Sequence, residues 1–225
     1  MRVDDMRVIA HYIGLPMPAL GLALLALYGL LAFGVRMIVQ VRRTGSTGFK
    51  GLRGTSGLER MGGLLFALAV VLCIAGPVLQ LADALSSVEA LDGTGASILG
   101  VLLASLGVTI TLVAQFAMGD AWRIGVDPSE RTELVTHGPF SLVRNPIFAA
   151  MIPAFMGVAL LAPNAVTIAG AILLMVALEL QTRLIEEPYL FRVHGEPYAA
   201  YIVRVGRFLP GIGRLRRVIS AQPGA

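Results

Sequence analysis

Long apolar runs broken by short polar loops set the pattern of this chain. They extend from about Pro18 to Val39, Gly62 to Leu81, Ala96 to Met118, Ile147 to Ala162 and Ala165 to Leu184. A helix needs about 20 residues to cross a hydrocarbon layer of roughly 30 Å. The fourth run is short for this and contains Pro153, which predicts a kinked or partial crossing. Pro163-Asn164 reads as a turn, so the fourth and fifth runs form an antiparallel hairpin. Pro146, at the first position of the fourth, is preorganised to start a helix. The expected fold is all-α: a polytopic membrane protein of about five transmembrane helices with a C-terminal interfacial helix. Residues 1–114 hold the first three helices and their loops; residues 115–225 hold a polar loop, the hairpin and the C-terminal helix.

Polar positions inside the fifth run are the sharper signal. Glu179, Arg183 and Glu187 recur at i, i+4 and i+8, which places them on one helix face. Each charge costs about 2.5–3.5 kcal/mol to insert at membrane depth. An intrahelical Glu179–Arg183 pair, worth about 0.2–0.5 kcal/mol, does not offset that. A polar cavity between helices is therefore expected, and the hairpin brings Arg144 and Glu187 to the same membrane surface. Pro188 disfavours continued α geometry, so the chain is expected to bend there and begin a new helix. In it Tyr189, Leu190, Val193, Tyr198, Tyr201 and Val205 would form an apolar face along the membrane, with Arg192 and Arg204 toward water.

Composition agrees with a membrane setting. Of 225 residues 56% are hydrophobic and 14% charged, with mean hydropathy +0.78, too apolar for a soluble domain. The net charge of +4 reports topology and lipid contact rather than nucleic acid. Arginines and Lys50 crowd the first and third loops and the C-terminal segment, whereas the loop near Asp83, Glu89 and Asp92 has none. The positive-inside rule then gives N-terminus out and C-terminus in, in the cytoplasmic membrane. The N-terminus shows no convincing cleavage site and is read as retained. Cys73 lies mid-span as filler, which excludes an internal disulfide and cysteine-bound zinc, and no metal site is expected.

The loops carry little else. Gly45 to Arg60 is glycine-rich and basic but lacks the Gly-Lys-Ser/Thr order of a phosphate loop, and reads as a connector. Gln115 is expected to bond a neighbouring helix. Trp122 and Arg123 fit an interfacial anchor, Asp127-Pro128 a turn, and the basic tail a headgroup contact.

The segment from about residue 115 to 211 resembles the isoprenylcysteine carboxyl methyltransferase family, in its bacterial branch. The family's Arg-His-Pro-x-Tyr run, hydrophobic hairpin and Glu-Glu pair are matched by Arg144-Asn145-Pro146-Ile147-Phe148, the hairpin, and Glu186-Glu187. Leu190, Gly195-Glu196, Tyr198, Tyr201, Arg204-Val205 and Leu209-Pro210 follow at the family's spacing. Asn145 stands where the family has histidine and Phe148 where it has tyrosine.

The resemblance implies S-adenosylmethionine as cofactor, bound between the last two spans and the C-terminal helix without a Rossmann domain. The cofactor residues it implies are His137, Gly138, Arg144, Asn145, Pro146, Phe148, Glu186, Glu187, Tyr198 and Tyr201, with Arg144, Glu187 and Arg204 as catalytic residues. Arg144 would pair with the cofactor's carboxylate and the glutamates with its ammonium or ribose. The expected reaction is O-methylation of the carboxylate of an isoprenylcysteine-like or other lipophilic acceptor entering from the bilayer. The alternatives are phospholipid N-methylation, an NADPH-dependent reductase of the sterol reductase type, and a non-catalytic lipid-binding protein. Arg144→Ala and Glu187→Gln are expected to abolish cofactor binding in a protein that still folds.

Overall fold

The computed structural model describes residues 15–48, 57–123, 125 and 133–215. The N-terminal charges, most of the loop from Gly45 to Arg60, the Asp127-Pro128 turn and the last arginines of the tail lie outside the described residues. Six helices carry the described chain: α1 (Met17–Thr44), α2 (Gly57–Leu81), α3 (Thr94–Ala117), α4 (Pro146–Leu161), α5 (Ala165–His194) and α6 (Glu196–Arg204). The first three and α5 are long and apolar enough to cross a membrane, while α4 is the shorter apolar helix that its sequence predicts. No β-strand occurs among the described residues.

Small residues decide which helices touch. A Cβ on Gly107 of α3 would meet the Ala150 carbonyl and Ala154 of α4 at 2.6 Å, and one on Gly157 would meet Gly100 and Ala104 backbone at 2.5 Å. α2 meets α5 in the same way, Gly76 against Thr167 and Gly170 against Cys73. Backbones can approach this closely only where side chains are absent, the usual device of packed membrane helices. Asn164 caps α5 by accepting from the Val166 and Thr167 amides, and its Nδ2 donates to Gly76 O (3.0 Å) and Gln80 Oε1 (2.8 Å) of α2. The hairpin turn is thereby fixed.

Two helices contain a widened π-turn, at Leu30–Val35 in α1 and Thr182–Glu186 in α5. In α1 the Arg36 amide bonds the Leu31 and Phe33 carbonyls and skips that of Ala32. Gln115 Nε2 of α3 fills the gap by donating to Ala32 O at 2.9 Å, the neighbouring-helix bond expected of that amide.

Pro188 does not break the chain. It follows the π-turn directly, and the helix runs on to His194. Proline lacks an amide hydrogen and crowds the carbonyl four residues back; the wider turn relieves both, since the Glu187 amide already reaches five residues back to Thr182 O. The break falls instead at Gly195, whose φ of 54° suits glycine.

Candidate active site

One end of the helix bundle surrounds a cavity of about 370 Å³, within the usual size of small-molecule sites. Every long helix contributes. Tyr28 and Phe33 come from α1, Phe66 from α2, Gln115 from α3, Phe148 and Met151 from α4, and part of the stretch Ala177 to Leu190 from α5, with Tyr198 and Tyr201 of α6 closing one side.

Arg144 and Glu187 meet, as the hairpin predicts. Arg144 Nη2 donates to Glu187 Oε1 at 2.6 Å, and the two residues are 5% and 9% exposed. Arg144 Nη1 reaches Val205 O at 2.7 Å and Ile202 O at 3.2 Å, and Nη2 also reaches Gly213 O at 3.1 Å. The guanidinium thus satisfies carbonyls at the C-terminus of α6, where a cation is favoured. A residue that sequence reasoning missed completes the cluster: Arg207 donates Nε to Glu187 Oε1 and Nη2 to Oε2, both at 2.8 Å. These hydrogen bonds hold the Arg207 guanidinium above its ordinary pKa. Nη1 and Nη2 of Arg144 and both oxygens of Glu187 are committed within the fold, while the buried Arg144 Nε has no hydrogen-bond partner among the described residues.

Arg207 sits among the tail arginines in sequence, and the headgroup contact expected of that tail does not apply to it. The backbone explains why. The Arg144 amide donates to Gly206 O (2.8 Å), the Asn145 amide to Arg207 O (3.1 Å), and the Arg207 amide to Ile212 O (2.8 Å). A Cβ on Gly206 would fall 2.1 Å from Leu209 O. This tight turn docks Arg207 beside the start of α4. The available signal was electrostatic: a buried Glu187 shared with Glu179 calls for more than one cation.

Glu179 and Arg183 do not line the cavity expected to explain them; they form the intrahelical ion pair, and Arg207 Nη1 adds a second contact to Glu179 at 3.4 Å. In a regular helix residues eight apart stand about 80° round from each other. The π-turn winds less per residue and brings Glu187 back over Glu179, so one arginine touches both.

Glu186 differs from its neighbour. It lines the cavity, and its carboxylate has no hydrogen bond or ion pair among the described residues. Glu59 and Glu133 line the cavity as well, with Arg123 and Arg144 as its cations. Arg123 Nη2 bonds Tyr189 Oη at 3.2 Å and stacks over that ring at 5.4 Å. Arg144 is matched by Glu187, and the described lining holds three further carboxylates, Glu59, Glu133 and Glu186.

Trp122 is no interfacial anchor. It is 2% exposed and lies under Arg36, whose guanidinium is 4.6 Å from its ring and donates to Gly119 O at 2.6 Å. Gln40 Nε2 donates to Asp120 O at 2.9 Å. Two α1 side chains thus pin the strap after α3 as a roof over the cavity.

The other predicted residues divide. Asn145, Pro146, Phe148, Tyr198 and Tyr201 line the cavity. Asn145 precedes α4 without a side-chain cap bond, its Nδ2 3.5 Å from Arg207 O. Tyr198 and Tyr201 are buried inside the protein instead of lying along the membrane. Tyr201 Oη donates to Phe140 O at 2.5 Å, and burial pushes its pKa up to about 12. His137 and Gly138 are exposed and stand outside the cavity lining, where Phe140 represents their segment. Arg204 is exposed too, its Nε on Ala200 O of its own helix at 3.2 Å.

Residues 96–197 match the family model described as phospholipid methyltransferase. No curated protein and no solved structure gives a significant match. The matched segment runs from α3 to the start of α6 and takes in the hairpin, Glu186 and Glu187, which bears out the membrane-methyltransferase resemblance.

Proposed function

We propose that this membrane methyltransferase, whose residues 96–197 are of the phospholipid methyltransferase family, moves a methyl group from S-adenosylmethionine to the amine of a lipid headgroup. The supporting observation is Glu186, which makes no hydrogen bond or ion pair among the described residues, feels Arg123 electrostatically and lines the cavity together with Glu59 and Glu133.

The lining suits the donor. Its ammonium and sulfonium are cationic and would be complemented by Glu59 and Glu133, and Arg123 would face its carboxylate. When bound, it supplies a methyl carbon whose bond to positive sulfur breaks toward sulfur as an acceptor lone pair arrives, leaving a thioether. An alkylammonium acceptor has no lone pair until it gives up a proton. Glu186 would receive its hydrogen bond and take that proton, and the nitrogen lone pair would then gain the methyl group to give an N-methylammonium. Aromatic side chains around the cavity exclude water and hold the reactants in register, which carries much of the rate. The Arg144–Glu187–Arg207 cluster positions these groups by tying α4, α5 and the segment after α6 together.

O-methylation of a carboxylate is the second reading. It draws on Arg144 as a binding cation, whose charge is already matched by Glu187 and whose Nη1 and Nη2 bond Glu187 and three carbonyls, with Nε left without a partner among the described residues. A reductase would have to seat the phosphates of NADPH in a cavity lined by Glu59, Glu133 and Glu186.

The experiment supplies methyl-labelled S-adenosylmethionine to the purified protein in lipid discs containing phosphatidylethanolamine or a farnesylated cysteine. Label on the amine of the phospholipid, reduced about 10²-fold or more by Glu186→Gln, is the expected result. Label on the prenylcysteine carboxylate alone overturns the amine reading.

A further inference from the structure

Gln181 ends the regular part of α5, just before the π-turn, and lines the same cavity. It is partly buried, and its amide has no hydrogen-bond partner among the described residues. Across from it, Gly62 of α2 is buried, and a Cβ there would lie 2.9 Å from Gln181 Oε1. The absent side chain makes room for the amide. The amide is accessible from the cavity, unlike the buried Gln115 Oε1, so a ligand there can complete its hydrogen bonds.

Its place relative to Glu186 identifies that ligand. Five residues correspond to about 7 Å of helix at 1.5 Å each, and Gln181 lies on the membrane side. In a regular helix the two would diverge by about 140°; the wide turn reduces this and both line the cavity. A carboxylate therefore sits at the polar end, with an amide that can donate or accept about one turn deeper.

We propose that Gln181 is a specificity-determining residue that hydrogen-bonds an oxygen in the link between the amine and the acyl chains of the acceptor, which makes the cavity selective for an amino-headgroup phospholipid over a plain long-chain amine. It rests on the amine reading above. The deeper position distinguishes this contact from the donor, whose charged groups are matched by the carboxylates and arginine nearer the rim.

Trp122 is the chain's single tryptophan and lines the cavity, so its fluorescence reports binding in the full chain without turnover. Titrations with phosphatidylethanolamine, octadecylamine and S-adenosylmethionine compare wild type with Gln181→Leu. The substitution is expected to weaken phosphatidylethanolamine about tenfold and leave the other two unchanged. Gly62→Ala, which displaces the amide without removing it, is expected to give the same pattern. Equal weakening of both amines, a loss confined to S-adenosylmethionine, or no loss in either variant overturns the proposal. Methyl transfer is scored separately: selective binding with no label on the amine supports the Gln181 contact and sinks the proposed reaction.

Discussion

Arg207 closes a fork on Glu187, each carboxylate oxygen receiving one guanidinium nitrogen at 2.8 Å, while Arg144 reaches the same carboxylate from the other side at 2.6 Å. Neutralising the shared acid leaves two buried cations facing each other. Glu187→Gln should therefore lower stability by about 3–5 kcal/mol, seen as a lower melting temperature in detergent, and this replaces the expectation of a folded, non-binding variant. A variant that melts like wild type yet has lost the donor would return Glu187 to direct ligand contact.

The contact between α3 and α4 leaves no room at Gly107. Gly107→Leu should force the helices apart at a cost of about 1–3 kcal/mol. Leu106→Ala, one residue away on the exposed face, serves as the control and should melt near wild type. Equal effects from the two would show that the close approach is not limiting.

Arg36 holds the cavity roof through Trp122 and Gly119. Arg36→Leu should red-shift Trp122 emission and raise its quenching by acrylamide, as the roof loosens and water reaches the ring. An unchanged spectrum would mean that the strap after α3 is secured without the guanidinium.

Tyr201 gives a pH dependence with a definite sign. Burial raises its hydroxyl from 10.0 to about 12, so the neutral form is the one favoured by folding. That contribution is complete below about pH 10, the unfolded value, and disappears as pH climbs through the folded value. Tyr201→Phe should lose about 0.5–1.5 kcal/mol at neutral pH and soften the alkaline decline. Tyr198, shifted the same way by burial, keeps part of it. Denaturation curves measured across alkaline pH decide the matter.

Much of this arrangement could be read from the chain. Apolar run lengths give the helices, Pro163-Asn164 the hairpin, and the antiparallel return the meeting of Arg144 with Glu187. Arg207 could not be read because its position depends on a turn around Gly206 that brings distant backbone together. Trp122 misled because an aromatic beside an arginine at a helix end looks alike whether it faces lipid or lies beneath a buried cation from another helix. The distinction between Glu186 and Glu187 was hidden for a third reason: adjacent identical residues differ only in which way the helix turns them.

The widened turn at Thr182–Glu186 also sets how α5 tolerates changes in length. Removing one residue there would let the helix tighten to ordinary pitch with Glu187 seven positions beyond Glu179, about 20° round from it, so the two acids would keep a common face. A further residue inserted there has no second wide turn to absorb it and would carry Glu187 about 100° away from its arginines, so this stretch accepts a deletion more readily than an insertion.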